Sequence, residues 1–212
     1  MIRRSLRNLS AAFVAVLSFS ILATAQTSPS PEAFPNIKIK NFGQMDERYY
    51  RGDQPEPGDY QALKDLGVNT IIDLRNDPTD YEKREAEALG MKYVNIPMSG
   101  WKYAKDTQVE EFMKLMNDPA TGVVYAHCKA GKHRTGLTGA IYRFEKYGWD
   151  YDKAYAEMKN YDYTSWPVHY NIKSYVQDYA KEMKSRPVTP AVTTTVAAAA
   201  ANGAQQSASY KQ

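Results

Sequence analysis

Between residues 37 and 184 the chain alternates short apolar runs with stripes of apolar residues at helical spacing. Val68-Asn69-Thr70-Ile71-Ile72-Asp73-Leu74 follows Gly67 and is rich in β-branched residues, the pattern of a strand covered on both faces. Gly122 to Ala126 forms a second short apolar strand, and Met91 to Ile96 alternates as a third that ends at Pro97. Helices fill the intervals. Gly58 to Leu66 and Tyr81 to Leu89 read as helices stopped by Gly67 and Gly90. Val109, Phe112, Met113 and Met116 share one helical face. Leu137 to Tyr147 is helical and ends at Gly148, and Tyr151 to Lys159 and Val168 to Met183 give two more helices. This alternation predicts an α/β fold with a central, mostly parallel sheet flanked by helices. There is no internal repeat.

The two ends depart from that pattern. Arg3, Arg4 and Arg7 precede an apolar stretch from Ala11 to Ala23, and Ala23-Thr24-Ala25 follows as a small-residue cleavage pattern. Residues 1–25 thus read as a secretory signal peptide, with the mature chain starting at Gln26 and bound for the periplasm or the outside of the cell. The apolar stretch is shorter than the roughly 20 residues a helical span needs, so no stable membrane anchor is expected. Residues 26–36, rich in Ser and Pro, read as a linker, and residues 185–212 as a disordered tail. The unit between them, 37–184, is long enough for one core.

Charge adds one exclusion. The formal net charge is +3, but residues 1–25 hold three arginines and no acid, and without them bases and acids balance at 24 each. Nucleic-acid binding by bulk charge is not indicated, so any affinity for anions must be local. A disulfide framework and a Cys-rich zinc site are excluded, because Cys128 is the one cysteine.

The local site is Val123-Val124-Tyr125-Ala126-His127-Cys128-Lys129-Ala130-Gly131-Lys132-His133-Arg134-Thr135-Gly136, which reads as strand, loop and helix start. Such a loop turns its backbone N–H groups into a concave anion site at the positive end of a helix dipole. Gly131 permits tight curvature, and the planar fork of Arg134 can hold two oxygens of a phosphate. These donors also favour a thiolate at Cys128, since a cysteine at a helix N-terminus beside arginine titrates well below a free thiol. The chemistry implied is two-step phosphoryl transfer, with Cys128 as nucleophile and Arg134 and the loop amides stabilising the equatorial oxygens. Thr135 can donate to the departing sulfur, and His127 orients the loop. Lys129, Ala130, Gly131, Lys132 and His133 line the loop as substrate-binding residues, and its cationic groups suit a substrate with several phosphates. Neither metal nor cofactor is called for.

The segment HCKAGKHRTG resembles the H-C-x5-R-[ST] signature of cysteine-dependent protein tyrosine phosphatases, nearest the dual-specificity branch. Its Gly-Lys-His-Arg-Thr-Gly half is similar to plant and fungal atypical dual-specificity phosphatases, some of which act on inositol pyrophosphates. Its Cys-Lys-Ala-Gly-Lys half resembles the loop of lipid 3-phosphatases. Upstream, Asn41-Phe42, Tyr50-Arg51-Gly52, Pro55, Tyr60, Leu66-Gly67 and Ile71 to Arg75 look like the N-terminal half of the same atypical group. The resemblance implies a dual-specificity-phosphatase-like fold over about residues 37–184. It also implies a general acid on a loop before the signature. Asp106 is the candidate, because Thr107-x-x-Glu110 reads as the capping box of the next helix and leaves Asp106 free. Asp73 and Asp77 are rivals, Asp73 the more structural. Arg75 reads as structural and His169 as a surface or packing residue.

Substrates in view are a phosphorylated small molecule such as an inositol phosphate, a phosphoinositide, or a phosphoprotein. A phosphate-binding pseudoenzyme and a rhodanese-like sulfur carrier are the readings of other classes. Oligomeric state stays open.

Overall fold

In the computed structural model, residues 34–186 are described, and within them five strands form one mixed sheet in the order β1-β2-β5-β3-β4. The strands are β1 (Gly43–Asp46), β2 (Tyr49–Gly52), β3 (Thr70–Arg75), β4 (Lys92–Met98) and β5 (Val124–His127). Only β1 runs antiparallel; β5 lies at the centre, parallel to β2 on one side and β3 on the other. The helices are α1 (Tyr60–Asp65), α2 (Glu82–Ala88), α3 (Asp106–Asn117), α4 (Arg134–Tyr147), α5 (Tyr151–Asn160) and α6 (Tyr170–Ser185). The α/β expectation holds, with helices on both faces of a mostly parallel sheet.

Strand alternation sorts the core into two layers. Ile71 and Tyr125 pack with Tyr60, Leu63 and Ala86 beneath α1 and α2. Their neighbours Ile72, Val124 and Ala126 pack with Phe112, Leu137, Ile141 and Ile172 beneath α3 to α6. Every residue of β3 and β5 is buried, which is why these two read as mainly apolar runs without alternation.

Several boundaries differ from the sequence pattern. The hairpin β1–β2 was not among the expected strands; its residues GQMD and YYRG lack a β-branched run. Strand β4 continues through Pro97 to Met98, which the sheet tolerates because β4 is an edge strand. Helix α4 starts at Arg134 rather than Leu137, directly out of the loop. Helix α6 runs through Ser185, and Arg186 pairs with Glu145 at 2.7 Å, so the segment read as a tail begins inside ordered structure. The signal segment, most of the linker and residues 187–212 lie outside the described residues.

Helix α4, which carries Arg134, is anchored at its far end by charge. Arg143 donates from Nε and Nη2 to Glu157 of α5, at 3.0 and 2.7 Å, with both side chains buried. The same guanidinium lies 4.4 Å from the Trp149 ring. Removing one member of a buried pair strands the other in a medium that cannot solvate it. Glu157→Ala is therefore expected to lower unfolding stability by about 3–5 kcal/mol in urea titration, more than any surface carboxylate-to-alanine change.

Candidate active site

The centre of the sheet delivers the loop. Strand β5 ends at His127, α4 begins at Arg134, and residues 128–133 turn between them. Gly131 has φ +62, and an added Cβ would strike the backbone of Gly52 and Asp53. Glycine is thus required twice, for the left-handed backbone and for the close approach of the β2 end. The buried Arg51 of β2 donates from Nη2 to the Gly131 carbonyl at 2.6 Å, and its guanidinium lies 3.9 Å from the Tyr161 ring. Asn41 donates from Nδ2 to the Ala130 and Tyr161 carbonyls. The outward-turned carbonyls of the loop are held by these two side chains, which leaves its amides to face inward.

Cys128 sits at the floor, 2% exposed. Burial pushes its thiol up, but the Thr135 hydroxyl, the Arg134 charge and the backbone N–H groups of Thr135 and Ala130 outweigh it and hold the thiol below its ordinary value. The buried Thr135 hydroxyl has no other hydrogen-bond partner among the described residues. Arg134 is fixed from outside: its Nη1 donates to Asn76 Oδ1 and to the Met98 carbonyl, both at 3.2 Å.

His127 lies under the loop, fully buried, with Nε2 2.8 Å from Glu82 Oε2. Burial alone would lower its pKa; the Glu82 carboxylate reverses that and favours the imidazolium. Glu82 opens α2 and is itself fully buried. Its role was invisible in the string EKREAEA, where three glutamates look alike.

A cavity of about 530 Å³ opens over Cys128. Its walls are Asn76, Asp77, Gly100, Trp101, Lys129, Ala130, His133, Arg134 and His169. Cys128, Lys129, Ala130, His133 and Arg134 therefore come together as the loop pattern indicated. Gly131 and Lys132 do not line the cavity; Lys132 turns away to Asp162 at 3.3 Å. His133 contributes no cation at neutral pH. Burial and the neighbouring His169, with ring centroids 3.5 Å apart, push it down to about 4. His169, read as a packing residue, is a wall of the site: its Nδ1 lies 2.7 Å from the Gly100 carbonyl oxygen and its ring stacks on Trp101. No local signal marks it, since it lies 41 positions beyond Cys128.

The acid candidate is corrected by the same geometry. Asp106 is the first residue of α3, not a free loop residue, and its Oδ1 accepts from Tyr175 Oη at 2.9 Å. It lines a different cavity, of about 450 Å³, between α3 and α6. The cap also sits earlier than Thr107: Lys105 N donates to Gln108 Oε1 at 2.9 Å. Among the described residues, the carboxylate that does line the Cys128 cavity is Asp77. It is 63% exposed, lies 4.0 Å from Arg134, and is held below the usual carboxylate range chiefly by its hydrogen bond from Arg75. Asp73 is buried, accepting from Tyr93 Oη and the Arg75 N–H, so it is structural.

Comparison with known proteins places this arrangement. A family model described as a DSP-PTPase phosphatase fused to NAD+ kinase matches residues 29–175. An inositol diphosphatase of Arabidopsis thaliana is 31% identical over 114 residues, covering 50% of this chain and 56% of the relative. The dual specificity protein phosphatase TpbA of Pseudomonas aeruginosa is 28% identical over 119 residues, covering 56% and 53%. The chain thus spans little more than half the length of these curated relatives. Among solved structures, the core catalytic domain of a PP-IP phosphatase from S. cerevisiae superposes with TM-score 0.60 at 20% identity, over 70% of this chain and 91% of that one. The structure of P. aeruginosa TpbA gives 0.59 at 24%, over 69% and 89%. At these identities the structural likeness establishes the fold.

The thiol's environment sets a measurable pH dependence. Only the thiolate alkylates, so iodoacetamide inactivation is expected to persist at pH values where an ordinary thiol is silent and to fade as pH drops through the lowered pKa. A hydrogen bond to a charged group is worth about 1.5–3 kcal/mol, so Thr135→Val should move that midpoint up by about 1–2 pH units.

Proposed function

The chain belongs to the DSP-PTPase phosphatase family, and from that premise we propose that it is a cysteine-dependent phosphatase whose preferred substrate is a polyphosphorylated small molecule, cleaved at a phosphoanhydride. The observation that carries the cysteine chemistry is Cys128, buried yet acidified, at the floor of a cradle of amides and Arg134. In the first step Cys128 Sγ forms a bond to phosphorus as the bond to the leaving oxygen breaks. Arg134 and the loop amides hold the three equatorial oxygens. In the second step water attacks phosphorus, the S–P bond breaks, and inorganic phosphate and the thiolate are released. Thr135 stabilises the sulfur as it leaves. The steps use side chains and amides alone, so turnover is expected to persist in chelator.

The leaving group follows from the acid. An alkoxide must be protonated as it departs, whereas a phosphate leaves as a stable anion. Asp77 is exposed and kept ionised by Arg75 and Arg134, which makes it a poor proton donor. A substrate that departs as phosphate needs least from it. Lys129 and Arg134 supply charge for neighbouring phosphates. The similarity to an inositol diphosphatase supports an inositol pyrophosphate as the member of this class. One observation favours a second reading: the Trp101–His169 stack forms an aromatic wall at the cavity, which suits the ring of phosphotyrosine.

Phosphate release by the wild-type chain and by Cys128→Ser, with chelator present, tests both readings. An inositol pyrophosphate, inositol hexakisphosphate, a phosphatidylinositol phosphate and a phosphotyrosine peptide form the panel. The expected result is Cys128-dependent release that is fastest from the pyrophosphate, with Asp106→Asn within about twofold of wild type, since its carboxylate faces another cavity. Release that is equal in Cys128→Ser overturns the nucleophile; release from the peptide alone moves the assignment to a protein phosphatase.

Export is proposed on the residues before Gln26. Expression with these residues in a bacterial host is expected to yield extracytoplasmic protein whose N-terminal residue is Gln26, read by Edman sequencing; cytoplasmic protein that retains Arg3 and Arg4 would overturn it.

A further inference from the structure

Among the described residues, the large hydrophobic side chains that remain exposed are Trp101, Tyr103, Trp166, Val168 and Tyr170. All five lie on two segments, 99–105 and 164–170. A scatter of single exposed apolar residues is ordinary, but their concentration on one rim is not. The two segments are joined to each other: Asn171 Nδ2 donates to the Trp101 carbonyl at 2.8 Å, and His169 Nδ1 lies 2.7 Å from the Gly100 carbonyl. They are joined to the loop as well, by the His133–His169 stack and by the contact of His133 Nε2 with the Thr164 carbonyl at 3.2 Å. The rim therefore borders the Cys128 cavity, which Gly100, Trp101 and His169 line.

We propose that this rim is a membrane-contacting surface that seats the cavity mouth on an anionic lipid bilayer. Three features of the residues select a lipid surface. First, the side chains project instead of lining a groove: Trp166 is 72% and Trp101 61% exposed. Projecting rings enter a soft interface. Second, the rim is built of Trp and Tyr with one Val, and Trp and Tyr are the side chains that settle at headgroup depth, ring inward and polar atom in water. Third, the charge is of the right sign. Ser99-Gly100-Trp101-Lys102-Tyr103-Ala104-Lys105 and Thr164-Ser165-Trp166-Pro167-Val168-His169-Tyr170 contain two lysines and no acid. Lys102, Lys105 and Lys129 are exposed. The one acid bonded to the rim, Asp178, accepts from Tyr103 Oη and is paired with Lys181 at 2.8 Å. Lysines beside interfacial aromatics draw a protein to anionic headgroups. The contact itself does not rest on the proposed phosphatase reading.

The test is co-sedimentation of the full chain with vesicles of phosphatidylcholine containing phosphatidylserine, and with phosphatidylcholine alone, using lipids brominated in their acyl chains. Tryptophan quenching reads insertion directly. The variant is Trp166→Ser with Val168→Ser, whose residues lie outside the cavity lining. Expected are binding and quenching by the phosphatidylserine vesicles, weaker on phosphatidylcholine, and a loss of about tenfold or more in partition for the variant. Hydrolysis of soluble p-nitrophenyl phosphate should be unchanged by these substitutions, which shows that the variant is folded. Absence of binding, or equal binding by the variant, overturns the proposal. A lipid-free dimer that the same substitutions dissociate would assign the rim to a second copy and also overturn it. Should Cys128→Ser retain turnover, the reaction reading fails while the vesicle result stands.

Discussion

A thiol whose anion is favoured although only 2% of its residue is exposed is an unusual arrangement, and most of the molecule can be understood as making it tolerable. Desolvation alone would neutralise the thiol. It is opposed by donors that must all point at one atom, and loop amides point inward only if their carbonyls are satisfied outside. Arg51 and Asn41 do this from the hairpin side, at Gly131 and Ala130. Gly131 lets the hairpin come close enough for that contact. Below, Glu82 steadies His127; at the far end, Glu157 holds the helix that carries Arg134. Each is a buried charge with a partner, and each acts on the loop through a different element.

The cation supply of the loop is smaller than its string KAGKHR implies. Lys132 is turned to Asp162, and His133 is kept neutral by burial and by His169. Lys129 and Arg134 remain for the substrate. Beside these two cations the mouth is aromatic, with Trp101 stacked on His169. The same economy applies to the acid. Asp106 is bonded to Tyr175 in another cavity, and among the described residues the carboxylate at the Cys128 cavity is Asp77, exposed beside Arg75 and Arg134.

How far the sequence carried is clearest residue by residue. Strands β3 and β5 were legible because parallel central strands are buried on both faces and need no alternation. The loop was legible because its chemistry demands fixed residue types at fixed spacing. The β1–β2 hairpin was missed because GQMD and YYRG owe their strand conformation to tertiary pairing, not to propensity. Asp106 read as a free loop residue because the capping pattern was placed at Thr107, whereas α3 begins at Asp106 with Lys105 as its cap. Glu82 and His169 were illegible for another reason: burial of one glutamate among three, and stacking of His169 on the distant His133 and Trp101, are properties of the assembled chain.

Strand order has a consequence for the history of the molecule. β5 is the last strand among the described residues but occupies the middle of the sheet, between β2 and β3. Until it is made, the chain holds two halves, a hairpin and a parallel pair, with no hydrogen bonds between them. Its insertion welds the halves, and it brings Cys128 with it in the same motion. Long-range closure of this kind is slow relative to local folding. Throughout that interval the cysteine has neither the Arg51-braced loop nor the start of α4 around it, and it carries the chemistry of a free thiol. The lowered thiol pKa thus belongs to the assembled sheet, and a chain in which β5 is not in place has only an ordinary thiol.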